Sequence, residues 1–442
     1  MRRYNVLMLV ITLALFFPVA AFANGVWQTV NHSADYVKTQ SRNASTDLDS
    51  VYYNPAGTAL MAEGLYFSFS DQFIYAPVSI DSPSLTRNSY KGFQMAYLFP
   101  DIFLDYTMKA GPGKFAWSFG ILFVGGGGGG TYKKGLQLVD AGFYVLSGLI
   151  NSYYTLIGVP AQLQLQPGAI LTSKFVASVG MPAAQTNFAY SVLDDRLAFS
   201  IGYRFIYAFG STDANFKQNG IPIAVGGDYH STQKGTAHSI IFGISAKPID
   251  ALTLGFRAEY STPLRMKTKA HDDWLVLLLD MSMKDGGVAH RQLPPMFGFG
   301  ISYRVSGVQL SASSNVYLNQ YAQWNGKEKN HVTGYDLSCG VDYTFAQVPI
   351  NIGIGYTWNF MGSRASVRSQ TNESLDHHDI GGGISYTFKN NLKLTVAYIF
   401  LYYVPLNVNK GYSMVNLPVN LFPGDFNKQA HQAGIGVEYK IL

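Results

Sequence analysis

The sequence predicts an all-β chain that folds as a transmembrane antiparallel β-barrel of about 14 strands, plugged by an N-terminal hatch segment. Three observations lead there. The composition is poor in charge and rich in aromatics and glycine, hydropathy alternates with period two over most of the chain, and short turns alternate with long loops.

The 442 residues include 45 Gly, 30 Tyr and 29 Phe, whereas Asp, Glu, Lys and Arg together make up 13%, about half the usual share. So much apolar surface with so little charge excludes a disordered chain. The glycines follow no three-residue period and Cys339 is the single cysteine, which excludes collagen-like and disulfide-built scaffolds. Mean hydropathy is +0.06, and the first 23 residues alone account for it, so the rest averages close to zero. No later stretch offers about 18 consecutive apolar residues, so helical membrane spans are excluded.

Residues 1–23 read as a secretory signal peptide. Arg2 and Arg3 form its charged start, Val6 to Phe17 its apolar stretch, and Ala21-Phe22-Ala23 its cleavage site. The alternative is an uncleaved anchor helix. Cleavage leaves Asn24 first, with no cysteine there for lipid attachment. Losing the two arginines lowers the net charge from +5 to +3, and with no basic block this argues against a nucleic-acid partner. Residues 24–63 do not alternate and are polar, yet they contain Val51-Tyr52-Tyr53 and Ala59-Leu60-Met61, too apolar for a free tail. A plug is the expectation. Asn54-Pro55-Ala56-Gly57 supplies a fixed φ at Pro55 and a permissive residue at Gly57, and a short helix can start there.

From residue 64 to 442 the pattern is barrel. Leu197, Phe199, Ile201, Tyr203, Phe205 and Tyr207 alternate with Ala198, Ser200, Gly202 and Arg204; Leu252 to Tyr260 and Phe297 to Arg304 follow the same rule. Similar runs occupy Phe115 to Val124, Ile350 to Trp358, Leu392 to Phe400 and Gly434 to Leu442. One face is large and apolar, the other small or polar. A soluble sandwich would carry many charges on its outer face. Here the second face is Gly, Ala, Ser and Thr, which suits a barrel whose large residues meet lipid while small ones line a crowded interior. Tyr203, Tyr207, Tyr260, Tyr303, Trp358 and Tyr439 fit interfacial girdles.

Tight connections at Ala110 to Gly113, Leu193 to Asp195, Pro248 to Asp250, Val305 to Gly307, Ala346 to Val348 and Lys389 to Asn391 alternate with longer loops near 77–90, 125–168, 210–235, 268–287, 325–331, 361–375 and 406–427. Counting the runs between them gives the even number, and the short and long ends, of an outer-membrane barrel.

The stretch from Ser45 to Leu60, placed after a leader and before the first strand, resembles the N-terminal hatch of the FadL-type family of long-chain fatty acid and hydrocarbon transporters. Trp117-Ser118-Phe119-Gly120 running into the glycines, the Leu293 to Arg304 strand, and the Gln309 to Trp324 strand ending in Tyr-x-x-Trp are also similar to that family. A departure is Leu442 in place of a terminal aromatic. The resemblance implies a fourteen-stranded barrel with a hatch in the bacterial outer membrane. It implies passive uptake of a hydrophobic molecule, fatty acid or hydrocarbon, which docks between extracellular loops, enters a barrel pocket and leaves sideways at a kinked third strand.

Local residues bear on that expectation. Leu136, Leu138, Phe143, Tyr144, Leu146, Leu149, Ile150, Tyr153 and Leu156 crowd an expected extracellular loop, and Trp274, Leu275, Leu277 and Leu278 another. Exposed apolar patches mark binding surfaces, so these are candidates for a docking groove; packing on one another as loop helices is the plainer alternative. Gly125, Gly126, Gly127, Gly128, Gly129 and Gly130 directly follow the third strand run and tolerate kinks and bulges, so they are lateral-gate candidates, with a flexible loop as the alternative. No Lys-Ser or Lys-Thr follows them, so they form no phosphate loop. Arg204, Arg257 and Arg304 fall on the lumen face and are candidates for a ligand carboxylate, or they pair with Glu259, Asp47 or Asp49.

No catalytic motif is present, adjacent His377 and His378 point to opposite strand faces and suit no metal, and no cofactor is expected. The expected partners are a hydrophobic small molecule and membrane lipid, and the barrel is expected to be monomeric. A general porin for polar solutes is the alternative, and it would carry lumen charges and no plug. A structural or adhesive barrel would leave the loop hydrophobes without a purpose.

Overall fold

In a computed structural model the chain is described over residues 31–81, 89–133, 135, 148, 151–161, 171–218, 226–271, 284–363, 375–408 and 424–442. The expected leader, residues 1–23, lies outside them. Among the described residues no helix is long and apolar enough to cross a membrane.

The alternating runs pair into one closed antiparallel sheet. Its segments are β1 (Gly64–Asp81), β2 (Ser89–Ala96), β3 (Asp101–Ala110), β4 (Gly113–Tyr132), β5 (Leu171–Val192), β6 (Leu197–Gln218), β7 (Gly226–Ile249), β8 (Leu252–Ser261) and β9 (Arg265–Ala270). They continue with β10 (Val288–His290), β11 (Met296–Val305), β12 (Val308–Tyr317), β13 (Gly334–Thr344), β14 (Ile350–Phe360), β15 (His377–Thr387), β16 (Leu392–Tyr403), β17 (Leu406–Val408) and β18 (Gly424–Lys440). Four positions are split in two: β2 with β3 along β1, β8 with β9 along β7, β10 with β11 along β9 and β8, and β16 with β17 along β18. The 18 segments therefore make a barrel of 14 strands, closed where β1 pairs with β18 from Tyr66 opposite Lys440 to Asp81 opposite Asp425.

The faces are those the alternation demands. On β6, Phe199, Ile201, Tyr203, Phe205, Tyr207 and Phe209 are exposed outside, while Ala198, Ser200, Arg204, Ile206 and Ala208 are buried inside. A soluble protein would hide those aromatics; a lipid-facing wall displays them. At the short-turn end, Ser306 (φ 47°) and Gly307 (φ 83°) both take positive φ, the two-residue hairpin geometry whose twist matches the flanking strands.

Several strands run further than periodicity suggests. β6 and β7 remain paired up to Lys217 opposite Gly226, because their upper outward positions are polar and the apolar signal fades while the ladder continues. The glycine run, expected just beyond the third strand, forms part of that strand within β4.

Residues 31–61 lie inside the barrel, and Ala62 and Glu63 are exposed where the chain turns into β1. α1 (Ala34–Lys38) is capped by Ser33, whose Oγ accepts from the Tyr36 N–H at 2.9 Å. α2 (Ser50–Tyr53) leads into a 3-10 turn over Pro55–Leu60 that starts on proline, where the missing N–H costs nothing. Inward glycines make the room: a Cβ on Gly243 would lie 2.6 Å from Asn54 Oδ1, and one on Gly300 would lie 2.5 Å from the Ala44 nitrogen.

Candidate functional site

Four features meet in the lumen: a polar inner segment, a buried charge cluster, an apolar lining and an interrupted stretch of wall.

The inner segment holds itself together through Arg42. Its Nε donates to Asp49 Oδ2 at 2.7 Å, and its Nη2 donates to Asp47 Oδ2 at 2.8 Å and Ser45 Oγ at 3.0 Å. Burial works against the charge on Arg42, but Asp49 and Asp47 beside it raise its pKa well above the ordinary value. Asp35 is likewise opposed by burial, yet Lys393 and Lys38 hold its carboxyl well below the usual range. Lys393 Nζ lies 2.6 Å from Asp35 Oδ2, and Lys38 Nζ lies 3.2 Å from Asp342 Oδ1, so ion pairs tie the segment to β16 and β13. Asn54, Pro55, Ala56 and Gly57 are all buried. Asn54 Nδ2 donates to the Ile244 carbonyl and to Ser245 Oγ, both at 2.9 Å, which fixes the turn to β7.

Arg204 and Arg257 are brought together inside the barrel, both buried, on β6 and β8. Arg204 Nη1 donates to Glu259 Oε1 at 2.5 Å, and its Nε and Nη2 donate to Gln185 Oε1 at 2.8 and 2.6 Å. Arg257 Nη2 donates to the other oxygen of Glu259. Tyr52 of α2 lies against both guanidinium groups, with its ring centroid 5.2 Å from Arg204 Cζ and 4.5 Å from Arg257 Cζ. Arg304 does not join them; it sits exposed near the Ser306-Gly307 turn and donates to Gln309. Asp47 and Asp49 are engaged by Arg42.

Beside this cluster runs an apolar lining that sequence reasoning missed. Leu122 and Val124 of β4, Met181 of β5, Ile206 of β6, Met266 of β9, and Leu264 and Leu293 beside the breaks form one buried group with Tyr52 and Tyr53. Large apolar residues on the otherwise small face were the available signal. Ile206, two positions beyond Arg204, marks where the lumen wall turns from polar to apolar.

The interrupted wall lies between the second and third barrel strands. Pairing of β3 with β4 stops at Ile102 opposite Ile121 and resumes only at Met95 opposite Gly129. On one side the chain breaks over residues 97–100, with Tyr97 71% and Leu98 73% exposed while Phe99 is buried. The Phe99 ring packs at a tilt against Phe123 with centroids 5.3 Å apart, and its N–H donates to Asp71 Oδ1 at 2.8 Å. On the other side β4 shifts register against β5 twice, between Phe123 and Gly126 and between Gly126 and Gly128. Gly126 has φ +82°, and a Cβ there would overlap the Val179 carbonyl oxygen, so glycine is required for this bulge. Gly125 and Gly130 flank it; of Gly127, Gly128 and Gly129 only the strand pairing is described. Leu122 and Val124 therefore belong both to the lumen lining and to the stretch of β4 without a partner on the β3 side.

The docking-groove candidates Leu136, Leu138, Phe143, Tyr144, Leu146, Leu149 and Ile150, and Trp274, Leu275, Leu277 and Leu278, lie outside the described residues. In the first of these loops residues 151–156 are helical, and Leu156 and Ile157 are exposed.

No protein-family model matches the sequence, and no curated protein is similar to it by sequence. Solved structures are similar in fold. A FadL homologue of Pseudomonas aeruginosa superposes with a TM-score of 0.67 at 13% identity, covering 96% of this chain and 100% of that one. The toluene transporter TodX of P. putida gives 0.60 at 11% identity over 93% of this chain and 99% of its own. The toluene transporter TbuX of Ralstonia pickettii gives 0.53 at 12% identity over 89% and 94%. With its closed fourteen-stranded barrel, the chain has the FadL-type fold.

Proposed function

We propose that this protein is an outer-membrane channel for passive uptake of hydrophobic molecules, long-chain fatty acids or hydrocarbons, and not an enzyme. The observation that carries the reading is the coincidence of the apolar lumen lining with the interrupted wall at Leu122 and Val124. An apolar solute gains nothing from a water-filled pore, but it gains on leaving water for an apolar lining, and a break in the strand ladder gives it a sideways exit. Neighbours of this fold carry toluene, which supports a hydrophobic cargo. In this reading residues 24–63 form a hatch that closes the way to the periplasm, the apolar loop residues around 136–157 and 274–278 receive the ligand, and the Gly125 to Gly130 bulge shapes the exit. Arg204 and Arg257 share one carboxylate, Glu259, which leaves one positive charge at the foot of the apolar lining for a fatty-acid headgroup. One barrel suffices for the whole route, so the unit is a monomer.

Proteoliposome uptake of labelled oleate and toluene, beside a polar solute such as glucose, tests this. Oleate or toluene entry without glucose entry is the expected result, and deletion of residues 24–63 is expected to admit glucose. Glucose entry through the intact chain would replace the reading by a polar-solute pore.

A further inference from the structure

The outer wall carries a second feature that transport does not use. Up the outward face of the seventh barrel strand, Leu254, Phe256, Ala258 and Tyr260 are followed directly by Arg265, Lys267 and Lys269. The cations of β9 are exposed, while Met266 and Thr268 between them point inward and are buried. On neighbouring β7 the outward order is the same: Phe242 and Ile240, then His238, Thr236 and exposed Lys234. Both faces change from apolar to basic at one level, just above the lipid-facing aromatics.

Lys234 stands directly opposite Lys267 in the ladder, and His290 directly opposite Arg265. Like charges in directly paired positions repel. Among the described residues none of Lys234, Arg265, Lys267 and Lys269 has a carboxylate partner within 4 Å; the acids nearby are engaged elsewhere, Asp213 by His230, Asp228 by Asn215, and Asp285 by the Ala270 N–H. Asp272, Asp273 and Asp280 follow in a segment outside the described residues.

We infer that this patch binds the phosphate groups of an anionic lipid headgroup in the outer leaflet. Its occupant must be negatively charged, because four cations converge on it. It must also be a lipid, because the patch sits on the outward wall at the upper rim of the apolar belt, where headgroups lie and where a lipid's tails reach Tyr260, Ile240 and Phe242. The inference rests on the membrane position of the barrel and not on the nature of its cargo.

The test uses the full chain in nanodiscs, with native mass spectrometry reading bound lipid. Bisphosphorylated lipid A is expected to remain bound through activation that strips its dephosphorylated form, and the variant K234Q/R265Q/K267Q/K269Q is expected to lose about tenfold or more of that retention. Equal retention of the two lipids by the wild-type chain overturns the inference, and so does unchanged retention in a variant that still shows the heat-modifiable gel mobility of a folded barrel. The lipid comparison needs no variant, so a misfolded variant leaves the test intact. Displacement of lipid A by millimolar inorganic phosphate, with equal affinity for the free ion, would mark a simple anion patch and likewise overturn it. Oleate uptake measured in parallel separates this outcome from failure of the transport reading.

Discussion

Replacing Glu259 by Gln keeps the shape of the charge cluster and removes the carboxylate that Arg204 and Arg257 share. Arg204 then keeps Gln185, and both guanidinium groups remain buried against the face of Tyr52. Breaking a buried ion pair by removing one partner costs about 3–5 kcal/mol. Glu259 is held in the ladder opposite Ile241 of β7 and is the last rung opposite Met296 of β11, so the strain falls on the part that is held by side-chain contacts alone, α2 with Tyr52. A cost of about 3 kcal/mol raises the displaced population of residues 31–63 by about a hundredfold. Hydrogen exchange followed by mass spectrometry is expected to show faster exchange across α2, and planar-bilayer recordings are expected to show ion conductance absent from the parent. The control is R257M/E259M, which removes one charge of each sign and leaves Arg204 with Gln185; it is expected to leak less than E259Q. Unchanged exchange and no conductance in folded E259Q would refute the idea that this cluster seats the inner segment.

Other expectations follow from the wall and the lining. Gly126→Val forces a side chain into positive φ against Val179, at a cost of about 1–2 kcal/mol, and is expected to slow oleate uptake while the barrel still inserts, as judged by heat-modifiable mobility. Ile206→Ser with Met181→Ser makes the lining polar; with roughly 1.5–3 kcal/mol of burial at stake for each side chain, oleate affinity by tryptophan quenching is expected to fall about tenfold or more. Asp71→Ala removes the acceptor of the Phe99 N–H at 2.8 Å and is expected to loosen residues 97–100, read as faster proteolysis or exchange confined to that break. Leu98→Lys places a charge on a 73% exposed position in the break and is expected to lower membrane insertion, a lipid-facing Lys costing about 2–4 kcal/mol at the bilayer midplane and less toward the interface.

Much of the fold was legible because a barrel writes its two environments into alternate residues. Phe199 to Phe209 on β6 state the lipid face and Ala198 to Ala208 the lumen face, so strand number and orientation follow. The split strands were not legible. Tyr97-Leu98-Phe99-Pro100 is as apolar as any strand, and only the pairing of β1 with both β2 and β3 reveals the break. The Arg204 and Arg257 positions followed from parity, but parity does not give height, so Arg304 was grouped with them although it sits by a turn. The apolar lining was hidden for a related reason. Met181, Ile206 and Met266 are isolated large residues on small-residue faces of different strands, and only closure of the sheet gathers them.

The ties of the inner segment also set an order of assembly. Lys38 reaches Asn351 and Ser385, partners 313 and 347 residues further along, and Lys393 answers Asp35 across 358 residues. The same late portion of the chain supplies β18, which closes the sheet on β1. Residues 31–63 therefore emerge first but find their seat last, when the seam is about to form, and contacts of such separation are slow to establish. A chain cut short before residue 342 would lose its closing strand and the anchors of its interior together, and a cell would meet it as one defect, an open sheet with nothing to hold inside.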